Sequence, residues 1–307
     1  MTIRTCEIEL TNRCNANCIM CPRDQLERPF GKMKPETLMA IIDKAAEYGI
    51  ETVTFSGFGE PLLNEYVVDY ITYVKKTSPR IRTNITTNAG LLTRDLAKRL
   101  ADAGLDEIQI SFNGWDRESY ERTMRGPSFN DVLENIKSLM QIVRTGRGPR
   151  IVILPVMTKV QGEKEIEMIK SLFMGLGMDA GNFSGYYICN NRAGYFMNED
   201  ILDDAFYAGS DIKFYPAEKI LCRIPFMINW FDWRGYVHLC CNDIKDKALL
   251  GDIKTMTFND IENKKKDIAN GGSIPVICRK CNLPFLLGEG QGYWMVNELK
   301  NNANKGL

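Results

Sequence analysis

Three of the chain's ten cysteines, Cys14, Cys18 and Cys21, fall within the eight residues CNANCIMC, directly after the alternating run CEIEL. In a reducing compartment ten cysteines do not build a disulfide framework, so clustered ones read as metal ligands. Zinc sites draw their ligands as two close pairs and require a fourth donor, which this stretch does not supply. A cubane iron–sulfur cluster held by three thiolates leaves one iron open, and C-x3-C-x2-C is the spacing of such a cluster with a vacant position. The plainer alternative is a chance grouping of buried cysteines. A second signal lies in SGFGEPLLN, where Gly57 and Gly59 let backbone approach a ligand closely and Glu60 offers a carboxylate to an ammonium group. Alone, that stretch reads as a simple turn.

These groups must be held by regular elements, and the first 185 residues or so alternate between strand and helix signals. CEIEL, ETVTFSG, RIRTNITTN, DEIQISF, RIVILPVMT and NFSGYYIC read as strands. Between them, PETLMAIIDKAAEYG puts Leu38, Ile41, Ile42 and Ala45 on one face between Pro35 and Gly49, and TRDLAKRLADAG is bounded by Thr93 and Gly104. NEYVVDYITYVKKT and GEKEIEMIKSLFMGLG are further helices, and the span DRESYERTMRGPSFNDVLENIKSLMQIVRTG holds one or two. Six strands with intervening helices imply a parallel α/β sheet, an open doubly wound one or a partial barrel, with ligands at the carboxyl ends of the strands. The alternation fades near Asn190, and five cysteines follow among short β-like runs.

Lys and Arg total 39, as do Asp and Glu, so no global field points to nucleic acid or an anionic membrane surface. The run Lys264 to Lys266 reads as a solvated helix face. MTIRTCEIEL lacks the features of a signal peptide, and no segment approaches the ~20 apolar residues of a membrane span, so a soluble cytoplasmic protein is expected.

C-x3-C-x2-C one strand ahead of Gly-Phe-Gly-Glu-Pro resembles the radical S-adenosylmethionine (SAM) enzymes, and TTNAG, SFNG and MRGPSFNDVLENI extend the resemblance over residues 5 to 188. It implies a partial (β/α)6 barrel over residues 1–189, in which Cys14, Cys18 and Cys21 hold a [4Fe–4S] cluster whose open iron is chelated by SAM. Gly57, Gly59 and Glu60 would bind the amino group of SAM, and Asn88 would reach the ribose. Ser111 and Arg125 match positions contacting carboxylate or ribose, and Met20 stands where an aromatic commonly packs on adenine. One-electron cleavage of SAM would then yield a 5′-deoxyadenosyl radical that removes a hydrogen atom from substrate.

Cys222, Cys240, Cys278 and Cys281 form a second group, which by itself suits zinc or iron–sulfur. Behind such a barrel they resemble the shortened SPASM, or twitch, module. That implies a small C-terminal α+β domain within residues 190–307 and a second, fully ligated [4Fe–4S] cluster that transfers electrons. A flavodoxin- or ferredoxin-like donor is the implied electron partner.

Among the remaining residues, Cys6 alternates with Ile8 and Leu10 as a core thiol. Cys189 and Cys241 are structural or else hydrogen-atom donors to a substrate radical. Arg192 is a linker arginine or a group that orients substrate and assists deprotonation. His238 is expected to be structural, and Trp230, Trp233, Tyr186 and Tyr187 to be packing. The layout is similar to the radical SAM aminocyclitol dehydrogenases, which implies two-electron oxidation of a carbinol carbon of a sugar or cyclitol. The competing expectations are a peptide-modifying maturase, disfavoured because no leader-binding domain precedes Cys14, a sugar epimerase using Cys189 or Cys241, and a zinc-knotted binding module.

Overall fold

The structure is a computed structural model that describes residues 3–146, 148–183, 185–190, 192–196, 198, 200–202, 224–270, 275–278 and 281. Strands β1 (Thr5–Ile8), β2 (Thr52–Phe55), β3 (Arg82–Thr87), β4 (Glu107–Ile110) and β5 (Arg150–Ile153) lie side by side in chain order, all parallel. The expected fifth strand breaks at Leu154 and Pro155. Beyond the break β6 (Val156–Met157) pairs in parallel with β7 (Tyr187–Ile188), while Phe183 bridges back to Ile153. This is the partial (β/α)6 barrel, with its fifth and sixth strands each interrupted.

Helices α1 (Pro35–Tyr48), α2 (Val67–Thr77), α3 (Arg94–Asp102), α4 (Arg117–Met124), α5 (Phe129–Arg144) and α6 (Glu163–Gly175) intervene between the strands. The periodicity of α1 is realised: Leu38, Ile41, Ile42 and Ala45 are fully buried against Cys6, Ile8 and Val53. Thr93 caps α3 by accepting from Leu96 N at 3.2 Å. The long span after β4 contains two helices, α4 and α5.

The sheet does not stop at the boundary expected near residue 190. Strand β8 (Ile228–Phe231) pairs in parallel with β1, Thr5 against Ile228 through Ile8 against Phe231. Strands β9 (Tyr236–His238) and β10 (Leu249–Asp252) extend it antiparallel, giving the order β10-β9-β8-β1-β2-β3-β4-β5. The free edge of β1 is thereby covered, which removes an exposed row of unpaired backbone groups. Helix α7 (Phe258–Asn270) closes the C-terminal layer, with Phe258 stacked on Tyr48 at 5.3 Å and edge-on to Phe231 at 5.8 Å.

The lysine run corrects an expectation. Lys264 and Lys266 are exposed, but Lys265 is fully buried on the inner face of α7, its ammonium donating to Ile228 O at 2.8 Å and Asn229 Oδ1 at 3.0 Å. A solvated reading failed because one helix turn separates faces with opposite surroundings. Burial lowers the Lys265 pKa to about 7. The folded state therefore binds this proton less tightly than the unfolded chain, and its contribution to stability rises with pH from about 7 upward. The denaturation midpoint of Lys265→Met is expected to climb less between pH 7 and pH 9 than that of the unsubstituted protein. Equal slopes in parallel urea titrations would contradict this.

Candidate active site

A cavity of about 290 Å³ opens at the carboxyl ends of the strands and gathers most of the residues singled out in the sequence. Cys14, Cys18, Met20 and Cys21 line it from the loop after β1. Gly57, Gly59 and Glu60 enter after β2, Asn88 after β3 and Ser111 after β4. Cys189, Arg192 and Cys241 complete it from the far wall.

Backbone hydrogen bonds hold the three-cysteine loop in place. Asn17 N donates to Arg125 O at 2.7 Å, Ile19 N to Thr123 O at 3.0 Å and Glu60 N to Arg13 O at 2.8 Å. The Arg23 guanidinium reaches Ala16 O at 3.0 Å. Close approach explains both glycines of the turn after β2. A Cβ on Gly59 would sit 2.1 Å from Thr11 O, and one on Gly57, where φ is +141°, would sit 2.8 Å from Glu9 Cβ.

Burial raises the pKa of Cys14 to about 11 and of Cys18 to about 12, and pushes Cys21 up as well; for Cys14 and Cys18 the neighbouring thiols add to the shift. The three sulfurs therefore need cationic iron to become thiolates together. Among the described residues, the one set of three or more Cys, His, Asp or Glu ligand atoms mutually within 4.8 Å is Asp232, His238 and Asp246. The three cysteines as a set are thus spread wider than the sulfur spacing of about 3.8 Å in a tetrahedral zinc site. The donor chemistry, three buried thiols lining one cavity with no fourth side-chain ligand grouped with them among the described residues, fits a cubane cluster.

Glu60 is 2 % exposed and accepts from Thr87 Oγ1 at 2.7 Å, Leu62 N at 3.1 Å and Asn88 N at 2.8 Å. Burial raises its pKa to about 7 against these donors. Asn88 Nδ2 donates to Asn15 Oδ1 at 2.8 Å, tying the third strand's loop to the cysteine loop. Met20 packs with Phe196, Ile201 and Leu202. Arg125 departs from its expected place. Its side chain is exposed and turns back to Arg122 O at 3.3 Å, so the residue reaches the site only through its carbonyl. It is the C-terminal cap of α4, with a left-handed φ of +47°.

Arg192 Nη1 donates to Asn242 Oδ1 at 3.0 Å, and Asn242 Nδ2 lies 3.5 Å from Cys281 Sγ. One carboxamide thus joins the cavity arginine to a cysteine of the second group. Cys278 and Cys281 lie on the segment packed against the turn Arg192–Gly194, and Cys278 feels the charges of Cys281 and Asp243. Cys240 is buried in the core beneath Cys241. Cys222 lies outside the described residues. Burial raises the Cys189 pKa to about 11, and the hydrogen bond to Cys240, then burial, pushes Cys241 well up, so both are thiols at neutral pH.

His238 is fully buried, with Nδ1 3.0 Å from Asp243 and Nε2 3.1 Å from Asp232. Burial opposes its charge, but the two carboxylates carry its pKa up. Arg234 bridges Asp232 at 2.9 Å and Asp246 at 2.6 Å, and Arg28 continues from Asp246 to Glu9 at 3.1 Å. Glu9 in turn accepts from Phe58 N at 3.0 Å. This ionic chain, with arginines already neutralising its acids, connects the β8–β9 hairpin to the glycine turn. Trp230 is buried, edge-on to His238 at 4.8 Å, and also lines the cavity.

The sequence reading missed the inner barrel wall. Thr5, Glu7, Thr54, Ser56, Thr86 and Gln109 all face the cavity from alternate positions of β1 to β4 and the residue after β2. The available signal was the period-two polar set of TCEI and TVTFS, which lies on the face turned toward the barrel interior.

Gly59→Ala forces its methyl into backbone that has no rotamer to yield. Anaerobically reconstituted Gly59→Ala is expected to lose at least about tenfold in SAM affinity, the scale of 1.4 kcal/mol. The unsubstituted protein is expected to contain about eight irons per chain, the count of two cubanes. Unchanged SAM affinity in an iron-replete variant would overturn the close-approach argument, and zinc without iron in the unsubstituted protein would overturn the cluster reading.

Comparison with known proteins agrees with this geometry. The model of the Radical SAM superfamily matches residues 8–172, and that of an iron–sulfur cluster-binding domain, SPASM, matches residues 222–282. A probable GTP 3′,8-cyclase of Methanothermobacter marburgensis is 37 % identical over 131 residues, 43 % of this chain, and the match spans only 41 % of that protein. Among solved structures, BtrN in complex with AdoMet and 2-DOIA superposes with a TM-score of 0.57 at 17 % identity over 92 % of this chain and 94 % of BtrN. Streptococcus suis SuiB bound to precursor peptide SuiA gives 0.64 at 16 % identity, over 96 % of this chain and 73 % of SuiB. The zinc-knot expectation gives way to iron–sulfur domains in both parts of the chain. The chain belongs to the radical SAM superfamily and carries a C-terminal iron–sulfur cluster-binding domain of the SPASM type.

Proposed function

We propose that this enzyme oxidises a carbinol carbon of a sugar or cyclitol to a ketone. Cys14, Cys18 and Cys21 would hold the SAM-binding [4Fe–4S] cluster, and Cys222, Cys240, Cys278 and Cys281 the auxiliary one. Gly57, Gly59, Glu60, Asn88, Ser111 and Met20 would seat SAM. When bound, these groups supply a 5′-deoxyadenosyl radical as hydrogen-atom acceptor and the auxiliary cluster as acceptor of one electron.

The observation that carries the substrate class is the inner wall. Thr5, Thr54 and Ser111 turn hydroxyls toward the cavity, each able to donate and accept, while Ser56, Thr86 and Gln109 donate to Glu7, Gln109 and Glu107 within the wall and keep acceptor capacity. A polyol satisfies the hydroxyls of Thr5, Thr54 and Ser111, whereas an apolar substrate would leave these three unpaired at a cost of about 1–3 kcal/mol each. Arg192 adds a fixed cation for an oxygen that becomes anionic. Surrounding aromatic and aliphatic groups such as Trp230, Met20 and Ile224 exclude water from the radical's path.

A second reading, sugar epimerisation, is supported by Cys189 and Cys241. Both face the cavity as protonated thiols, the form that gives up a hydrogen atom. Among the described residues no helix is long and apolar enough to cross a membrane. The electron donor is proposed to be a flavodoxin- or ferredoxin-like protein.

Incubation with SAM, dithionite and a panel of sugars and cyclitols in deuterium oxide separates the readings. Oxidation is expected to give one 5′-deoxyadenosine per ketone, two hydrogens lighter than the substrate. A product of substrate composition carrying one carbon-bound deuterium would replace oxidation with epimerisation.

A further inference from the structure

We infer that Glu7 is the catalytic base of this cavity, taking the hydroxyl proton of the alcohol while Arg192 faces the oxygen left behind. The inference rests on the oxidation reading and deepens it. Glu7 sits on β1 between Thr54 of β2 and Trp230 of β8, and its side chain lines the cavity together with those of both neighbours. The charged and titratable groups around it are Arg192, Glu9 and Cys241. Among the described residues its sole hydrogen-bond partner is the Ser56 hydroxyl, which donates to Oε1.

The other candidates for a base are committed elsewhere. Glu60, the second carboxylate on the cavity wall, already accepts three hydrogen bonds. Glu9 lies behind the wall, paired with Arg28 and Phe58 N. Arg192 is a guanidinium and stays protonated. Burial raises the Cys189 pKa to about 11, so it keeps its proton, and Cys241 stands against its neighbour Cys240. Glu7 therefore has acceptor capacity facing the cavity, and its burial makes it a stronger proton acceptor than an ordinary carboxylate.

The balance is complete. The carbinol carbon gives its hydrogen atom to the 5′-deoxyadenosyl radical, the hydroxyl gives its proton to the Glu7 carboxylate, and the remaining electron goes to the auxiliary cluster named above. The C–O single bond becomes C=O. Glu7 returns its proton to solvent when product leaves. Arg192 does not take the proton; it stabilises the negative charge that forms on the oxygen as Glu7 withdraws it.

Glu7→Gln keeps shape and the Ser56 contact but removes the base. The test uses reconstituted holoenzyme with ring-deuterated myo-inositol and deuterated glucosamine as probes, and reads deuterium in 5′-deoxyadenosine separately from ketone. The unsubstituted enzyme is expected to produce both from at least one probe. Glu7→Gln, with iron content and SAM affinity unchanged, is expected to retain deuterium transfer within about threefold and lose ketone about 100-fold, the scale of general-base catalysis. Glu7→Asp is expected to recover part of that loss, and it carries the test if the glutamine variant fails to fold. Ketone at the unsubstituted rate in Glu7→Gln would overturn the assignment while leaving the oxidation reading intact. Absence of both deuterium transfer and ketone in the unsubstituted enzyme would overturn the oxidation reading itself.

Discussion

The structure depends on how closely two backbone segments approach over the end of the barrel. The turn after β2 comes near enough to the loop after β1 that the Gly59 Cβ position falls 2.1 Å from Thr11 O, and Glu60 N donates to Arg13 O at 2.8 Å. No side chain fits between them. That contact fixes the three-cysteine loop relative to the carboxylate of Glu60, and Glu60 passes the constraint on to the β3 loop through Thr87 and Asn88. A flexible loop bearing three thiols would lose conformational freedom on binding a cluster; here much of that loss is already met by folding.

The C-terminal part of the chain is built into the same frame. Its strand β8 completes the hydrogen bonding of β1, and the ionic chain from His238 through Asp232, Arg234, Asp246, Arg28 and Glu9 ends on the amide of Phe58. Isolated surface ion pairs contribute little, but most members of this chain are fully buried, so breaking one link would strand charge in a low-dielectric interior. The chain leaving the same hairpin carries Cys241 to the cavity wall, with Cys240 in the core beside it.

Much of this was legible in the amino-acid sequence because its signals were local. C-x3-C-x2-C, the glycine turn with Glu60, the buried face of α1 and the cap at Thr93 each depend on residues a few positions apart. What was hidden depends on partners distant in the chain. The pairing of β8 with β1 joins residues more than 220 positions apart, and no periodicity encodes which strand covers an edge. Lys265 was misread because its buried acceptors lie on β8. Glu7 was passed over because alternation in β1 tells two faces apart without saying which one meets water. In this barrel the apolar Cys6 and Ile8 face the helices, and the polar Thr5 and Glu7 face the enclosed cavity. Arg125 shows a different gap: matching a family position places the backbone, while the side chain's direction, here toward Arg122 O, depends on its surroundings.

The central claim is that the three thiols beside Glu60 leave one iron for the amino acid moiety of SAM. Electron–nuclear double resonance on the reduced enzyme with SAM labelled with 15N at its amino group tests it directly. Hyperfine coupling between the cluster spin and that nitrogen is predicted in the unsubstituted enzyme. A SAM-saturated, reduced cluster showing no 15N coupling would contradict the account.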